Sequence, residues 1–206
     1  MRVLVACEFS GTVRDAFTKN GHYAMSCDLL PTESDGPHYQ GSVFDVLDQG
    51  WDLMIGHPPC TYLTISGNRW FKPEYKDRYP TREKDRQDAL EFFLKLYNSN
   101  IDRICLENPA GVLTSLFRPP NQYIQPYQFG EPHAKRTGLW LKNLPLLVPT
   151  KLVKQEYHID KNGKRDPMWH YQSFRYPPKQ RAKMRSKTFQ GIADAMADQW
   201  GKDILL

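Results

Sequence analysis

What this sequence lacks narrows its function first. Its longest apolar runs, residues 3–7 and 144–148, fall far short of the roughly 20 residues a transmembrane helix needs, so no membrane partner is expected. Cysteine is scarce. The four residues, Cys7, Cys27, Cys60 and Cys105, form no Cys-x-x-Cys pair and have no histidine at ligand spacing, which argues against a disulfide framework and against a bound metal. There is no Gly-x-Gly-x-x-Gly, so a pyrophosphate-bearing cofactor is disfavoured. Met1-Arg2 leads straight into a short β-like run with no secretory apolar region, and the expected location is cytoplasmic.

What is present suits one domain with a small appended lobe: 206 residues, 40% hydrophobic and 25% charged. Charge is segregated. Residues 151–187 hold eleven Lys/Arg against three Asp/Glu, while the whole chain is only +5, so the rest is net acidic. The same block carries Trp169, His170, Tyr171, Phe174, Arg175 and Tyr176. Cations among aromatics suit phosphate contact combined with base stacking, and the expected partner is DNA, with RNA left open.

Along the chain, Arg2-Val-Leu-Val-Ala-Cys7 reads as a buried strand. The turn Glu8-Phe-Ser-Gly11 follows, then a helix over residues 12–20 ended by Gly21. Residues 23–27 are a second strand with Asp28 just past it, and residues 42–47 hold a short element. Residues 52–55 form a strand leading into Gly56-His-Pro-Pro-Cys60. A polar loop spans about residues 61–81. A helix over 82–98 has Ala89, Phe92, Phe93, Leu96 and Tyr97 as its apolar stripe. Strand 103–106 is stopped by Glu107-Asn-Pro109, a short strand covers 139–141, and an amphipathic helix covers 192–200. Alternating strands and helices imply a mostly parallel α/β sheet with helices on both faces, binding ligands at the carboxyl ends of its strands. Glu8, Ser10, Asp28, Cys60 and Glu107 all fall there.

Each of these residues permits a particular chemistry. Gly11 allows close backbone approach, and the helix after it favours a polar or anionic group. Asp28, 17 residues beyond Gly11, stands where an acid grips ribose hydroxyls in dinucleotide folds. A small adenosine-bearing cofactor without phosphates fits this pattern. Cys7, Cys27 and Cys105 read as small core residues. Cys60 differs: two prolines stiffen the turn before it, which suits a nucleophile held in place. Glu107, buried at the sheet edge, is expected to have a raised pKa and to act as an acid. Lys135 and Arg136 are placed to pair with Glu107 or with a bound nucleotide.

Taken together, these motifs resemble the DNA cytosine-C5 methyltransferases, and most of the 206 residues are similar to the short phage- and prophage-type methylase-like proteins. Pro58-Pro-Cys-Thr-Tyr-Leu-Thr-Ile-Ser-Gly67 looks like the family's Pro-Cys-Gln loop and trailing glycine. Glu107-Asn-Pro-Ala-Gly111 looks like its Glu-Asn-Val segment, and Phe129-Gly-Glu-Pro-His-Ala-Lys-Arg136 loosely like its Gln-x-Arg-x-Arg region. The departures are Gly11 alone of the first motif's glycines, Ser42 where Asp is usual, Thr61 for Gln, and Ile192 for Asn.

The resemblance implies a Rossmann-like class I methyltransferase fold with a minimal target-recognition insertion. A catalytic core would span residues 1–150, a nucleic-acid-contacting insertion 151–187, and a helix returning to the core 188–206. It implies S-adenosylmethionine as the cofactor, held by Glu8, Phe9, Ser10, Gly11, Thr12, Asp28, Leu29, Asp45 and Pro58. Cys60 would attack C6 of a flipped-out cytosine. Glu107 would hold the N3/N4 edge, and Lys135 or Arg136 the O2 side. Three alternatives stay open: an amino-group DNA methyltransferase, an inactive nucleic-acid-binding decoy, and transfer of a group other than methyl.

Overall fold

The structure is a computed structural model that describes residues 1–202. Strand β1 (Arg2–Ala6) is apolar on both faces because both are covered: Val3 and Val5 join one buried cluster, Leu4 and Ala6 the other. There follow α1 (Thr12–Lys19), β2 (Tyr23–Asp28), β3 (His38–Gln40), β4 (Leu53–Gly56), α2 (Arg82–Tyr97), β5 (Arg103–Pro109), α3 (Leu113–Leu116), β6 (Gln122–Ile124) and β7 (Thr137–Lys142). Beyond them lie β8 (Tyr157–Ile159), β9 (Arg165–Pro167), α4 (Met168–Ser173), α5 (Pro178–Ser186) and α6 (Gln190–Trp200).

The main sheet has the order β3-β2-β1-β4-β5-β7-β6. The first five strands are parallel, and β7 runs antiparallel to both neighbours. One face is covered by α1 and α6, where Phe17, Met196 and Trp200 pack on Val3, Val5, Leu53 and Ile55. The other is covered by α2, where Phe93 and Leu96 pack on Leu4, Met54, Ile104 and Leu106. The chain is therefore α/β with a mostly parallel mixed sheet and helices on both faces. The strand order reverses between β1 and β4, and the crevice outside their carboxyl ends is the position such sheets use for ligands.

Several local expectations change. β5 does not stop at Glu107. It pairs with β7 through Pro109, because that antiparallel partner bonds across Glu107, Asn108 and Pro109 in turn. Asp28 closes β2 rather than following it. Cys7 is no core strand residue: it is half-buried with φ +59°. Strands β3 and β6 are three-residue edge strands, too short to leave a periodic signal. Residues 61–81 hold 3-10 turns at Ile65–Phe71 and Pro73–Tyr75. The basic block folds into the β8–β9 hairpin with α4 and α5. No helix among the described residues is long and apolar enough to cross a membrane. Residues 203–206 of the expected returning segment lie outside the described residues.

Candidate active site

The carboxyl ends of β4 and β5 converge on Cys60 and Glu107. His57 N–H bonds the Ala6 carbonyl at 2.9 Å, prolonging β4 by one residue before Pro58 and Pro59 end the pairing. The Cys60 carbonyl then accepts from Leu63 N–H at 3.0 Å and Thr64 N–H at 3.1 Å, closing a turn on the cysteine. Two ties fasten that turn to the end of β5. Asn108 donates from Nδ2 to the Pro58 carbonyl at 3.1 Å. Thr64 pairs with Gly111, where a Cβ would lie 1.9 Å from the Leu63 carbonyl oxygen. Only glycine permits this approach.

Glu107 and His57 face each other, with Oε1 and Nδ1 3.4 Å apart and side chains only 12% and 8% exposed. This is an ion-pair contact rather than an aligned hydrogen bond. Neither ring nitrogen of His57 has a hydrogen-bond partner, and Asn108 Oδ1 also lacks one. Burial alone would raise the Glu107 carboxyl, but the His57 and Lys135 charges bring it below its ordinary value. That reverses the direction expected from sequence, and the cause is the histidine. Burial alone would lower His57; the Glu107 charge, helped by Glu8, leaves it raised. Burial pushes the Cys60 thiol up, and Lys135 only partly offsets it. The resting site thus holds a protonated thiol beside a paired acid and base.

Lys135 belongs to this field; its Nζ donates to the Arg185 carbonyl at 3.2 Å. Arg136 is exposed and stacks on Tyr123 of β6, 3.8 Å from the ring centre. The adjacent cations thus divide, one toward the acid and one toward the edge strand.

Beside Cys60 lies an apolar cleft of about 200 Å³, lined by Cys7, Asp28, Leu29, Val43, Pro59 and Phe92 among others. Asp28 uses one carboxylate oxygen on Leu30 N–H at 2.9 Å. Leu29 is 75% exposed. The walls are mostly apolar, with the Asp28 carboxylate among them. Cys7, in the left-handed backbone region that non-glycine residues rarely adopt, lines the same cleft.

The first turn is committed elsewhere. Glu8 is buried and accepts from the N–H groups of Val13 at 2.7 Å and Arg14 at 3.2 Å, so it occupies the N-terminus of α1 itself. Ser10 donates to Glu8 and accepts from Thr12. At Gly11 (φ +77°) the close neighbours are Ser34 and Arg14. Phe9 is buried beneath Lys183, whose Nζ sits 5.0 Å from the ring centre. Asp45 accepts from the Tyr39 hydroxyl at 3.0 Å. Pro58 is buried under Asn108, and its neighbour Pro59 faces the cleft. Of the expected cofactor residues, Asp28 and Leu29 line it.

The basic block packs against the same side. Trp169 Nε1 donates to the Ala134 carbonyl at 3.0 Å, next to Lys135. Lys183 and Lys187 both bind Glu33, in the loop after β2, and hold its carboxyl below its ordinary value. Phe174 is 54% exposed, with Arg181 over its ring.

His57, Asn108, Pro59, Val43 and Phe92 were not foreseen as site residues. His57 carried a usable signal, three positions before Cys60 at a strand end. Phe92 lies in the apolar stripe of α2 and carried none. Compared with models of known protein families and with curated proteins, the chain matches none.

Proposed function

We propose that this protein is an S-adenosylmethionine-dependent methyltransferase acting on C5 of cytosine in DNA through a covalent Cys60 adduct. The observation that carries the reading is the fastening of the Cys60 turn, after β4, to the carboxyl end of β5 by Asn108 and Gly111, beside the reversal point of the sheet. The doubly wound strand order with an antiparallel β7 supports a Rossmann-like class I methyltransferase fold.

In this reading Cys60, once deprotonated, adds to C6 of an extruded cytosine. Glu107 holds the N3/N4 edge, Lys135 lies toward O2, and the turns over residues 61–81 border the base. The apolar cleft, with Asp28 for ribose hydroxyls and Leu29, Val43 and Phe92 for the ring, suits the adenosine half of the cofactor. When bound there, S-adenosylmethionine supplies an electrophilic methyl group. The aromatic and cationic surface of residues 151–187 would meet phosphates and bases.

One observation favours a second reading. The Glu8 carboxylate already fills the N-terminus of α1, so a cofactor carboxylate has no free helix end there. A nucleic-acid-binding protein without transfer activity would have no need of that position.

Incubation with S-adenosylmethionine and 5-fluorocytosine DNA separates the two. The expected result is a denaturant-stable complex at Cys60 carrying one methyl group. Retained DNA with no complex, and no label transferred to ordinary DNA, would favour the second reading.

A further inference from the structure

We infer that His57 is the positioning residue of Glu107 and holds the proton that Glu107 delivers to the substrate ring. The chemistry rests on the cytosine-methyltransferase reading; the pair itself rests on geometry. His57 is buried, Nδ1 faces Glu107 Oε1 at 3.4 Å, and neither ring nitrogen has an aligned hydrogen bond. A buried histidine with a purely structural role ordinarily ties at least one nitrogen to a carbonyl or hydroxyl. Here the neighbouring Asn108 Oδ1 is unpartnered as well, so polar capacity is left idle where a polar ring edge would enter.

Three charged groups act on His57 from the surrounding elements: Glu107 on β5, Glu8 after β1 and Lys135 before β7. Glu8 is spent on the amides of α1. Glu107 is therefore the carboxylate that can exchange a proton with the ring. Two acids against one ammonium favour an imidazolium, which burial in a pair stabilises only while its partner stays ionised.

The proton balance is simple. The resting pair holds one proton, on His57. Cys60 first gives its thiol proton to solvent water; as the thiolate forms its S–C6 bond, the C5=C6 π pair shifts to C4–C5 and the C4=N3 pair moves onto N3. N3 takes a proton from Glu107, and His57 passes its own to Glu107. When Cys60 leaves, N3 returns the proton to the pair. Addition therefore needs His57 protonated and fades as pH rises through the midpoint of the ring.

Two measurements test this without a methyl donor. The first is NMR titration of the His57 ring, identified by the signal lost in His57→Gln. The wild-type ring should stay protonated above the ordinary imidazole range, and Glu107→Gln should lower its midpoint by a pH unit or more. The second is release of tritium from C5 of tritiated cytosine in DNA, which follows Cys60 addition and N3 protonation through solvent protonation of C5 and loss of the triton. His57→Gln should release tritium at least tenfold more slowly near neutrality and lose the alkaline fall of the wild-type profile.

An unmoved His57 midpoint in Glu107→Gln overturns the inference, and tritium release by the wild type would then leave the methyltransferase reading intact. A shifted midpoint with no release by the wild type at any pH overturns that reading, and the proton delivery with it. If His57→Gln does not fold, the Glu107→Gln titration decides alone, with selectively labelled histidine for assignment.

Discussion

At the residue scale the candidate site centres on Cys60, Glu107 and His57, and the sequence exposed the first two plainly. Cys60 and Glu107 stand out because proline follows an apolar strand close to each; at Cys60 it ends the strand, while at Glu107 the pairing runs on through Pro109. His57 stands in the same motif but is one of six histidines. Its significance lies in a ring that faces Glu107 and has no aligned hydrogen bond at either nitrogen, a property of surroundings supplied by other elements. The expected rise in the Glu107 pKa fails for the same reason: burial was foreseeable, the facing charge was not.

Thiol reactivity follows from these surroundings. Cys7 is pushed up to about 12 and Cys27 to about 11 by burial and by Asp28. Cys105 is raised well beyond its ordinary value by burial and Glu107. Cys60, raised but relieved by Lys135, should be alkylated first by iodoacetamide as pH increases, and Lys135→Gln should slow it at fixed pH. Mass spectrometry of partly alkylated protein checks the order. Cys60→Ala should abolish methyl transfer while retaining DNA, as gel retardation would show; full transfer by that variant would refute the mechanism.

At the element scale, junctions matter more than the strands and helices they join. Gly111→Ala should be destabilising, because the added Cβ meets backbone 1.9 Å away and cannot be cleared by a side-chain rotation. The lost Thr64–Gly111 bridge should also part the Cys60 turn from β5. The expected outcome is a lower melting temperature together with at least tenfold slower adduct formation; a variant as stable and active as wild type would show that the junction is unimportant. The glycine is visible in Glu107-Asn-Pro-Ala-Gly111, but its partner, Leu63, is 48 positions away, so its reason is tertiary. The longer elements were legible because their apolar periods run over many residues. β3 and β6, three residues each, carry too little pattern and exist because a neighbouring strand edge accepts them.

At the scale of the whole molecule, stability and binding respond to two charge distributions. The buried His57–Glu107 pair has a raised base and a lowered acid. Its contribution should be lost as pH rises through the raised His57 midpoint and as pH falls through the lowered Glu107 midpoint, leaving a plateau between. Glu107→Leu alone should cost about 3–5 kcal/mol, and far less when His57 is made apolar too. Thermal unfolding against pH checks both. The basic block acts on the surface: DNA affinity should fall steeply with salt, and each phosphate contact removed, for example by Arg175→Ala, should lessen the log–log slope by about 0.9. An unchanged slope would remove Arg175 from the proposed DNA contact.

The sequence by itself determined the α/β class, the main strands and helices, the segregation of positive charge after residue 150, and the two motifs around Cys60 and Glu107. These depend on periodicity, punctuation and composition, which are local. Only the tertiary structure decided that Glu8 serves α1, that Arg136 turns onto Tyr123, that Pro59 rather than Pro58 meets the cleft, and that His57 pairs with Glu107. Each of those outcomes depends on what a different element brings near: the α1 amides within 3.2 Å of Glu8, the Tyr123 ring 3.8 Å from Arg136, the apolar cleft beside Pro59, and Glu107 3.4 Å from His57.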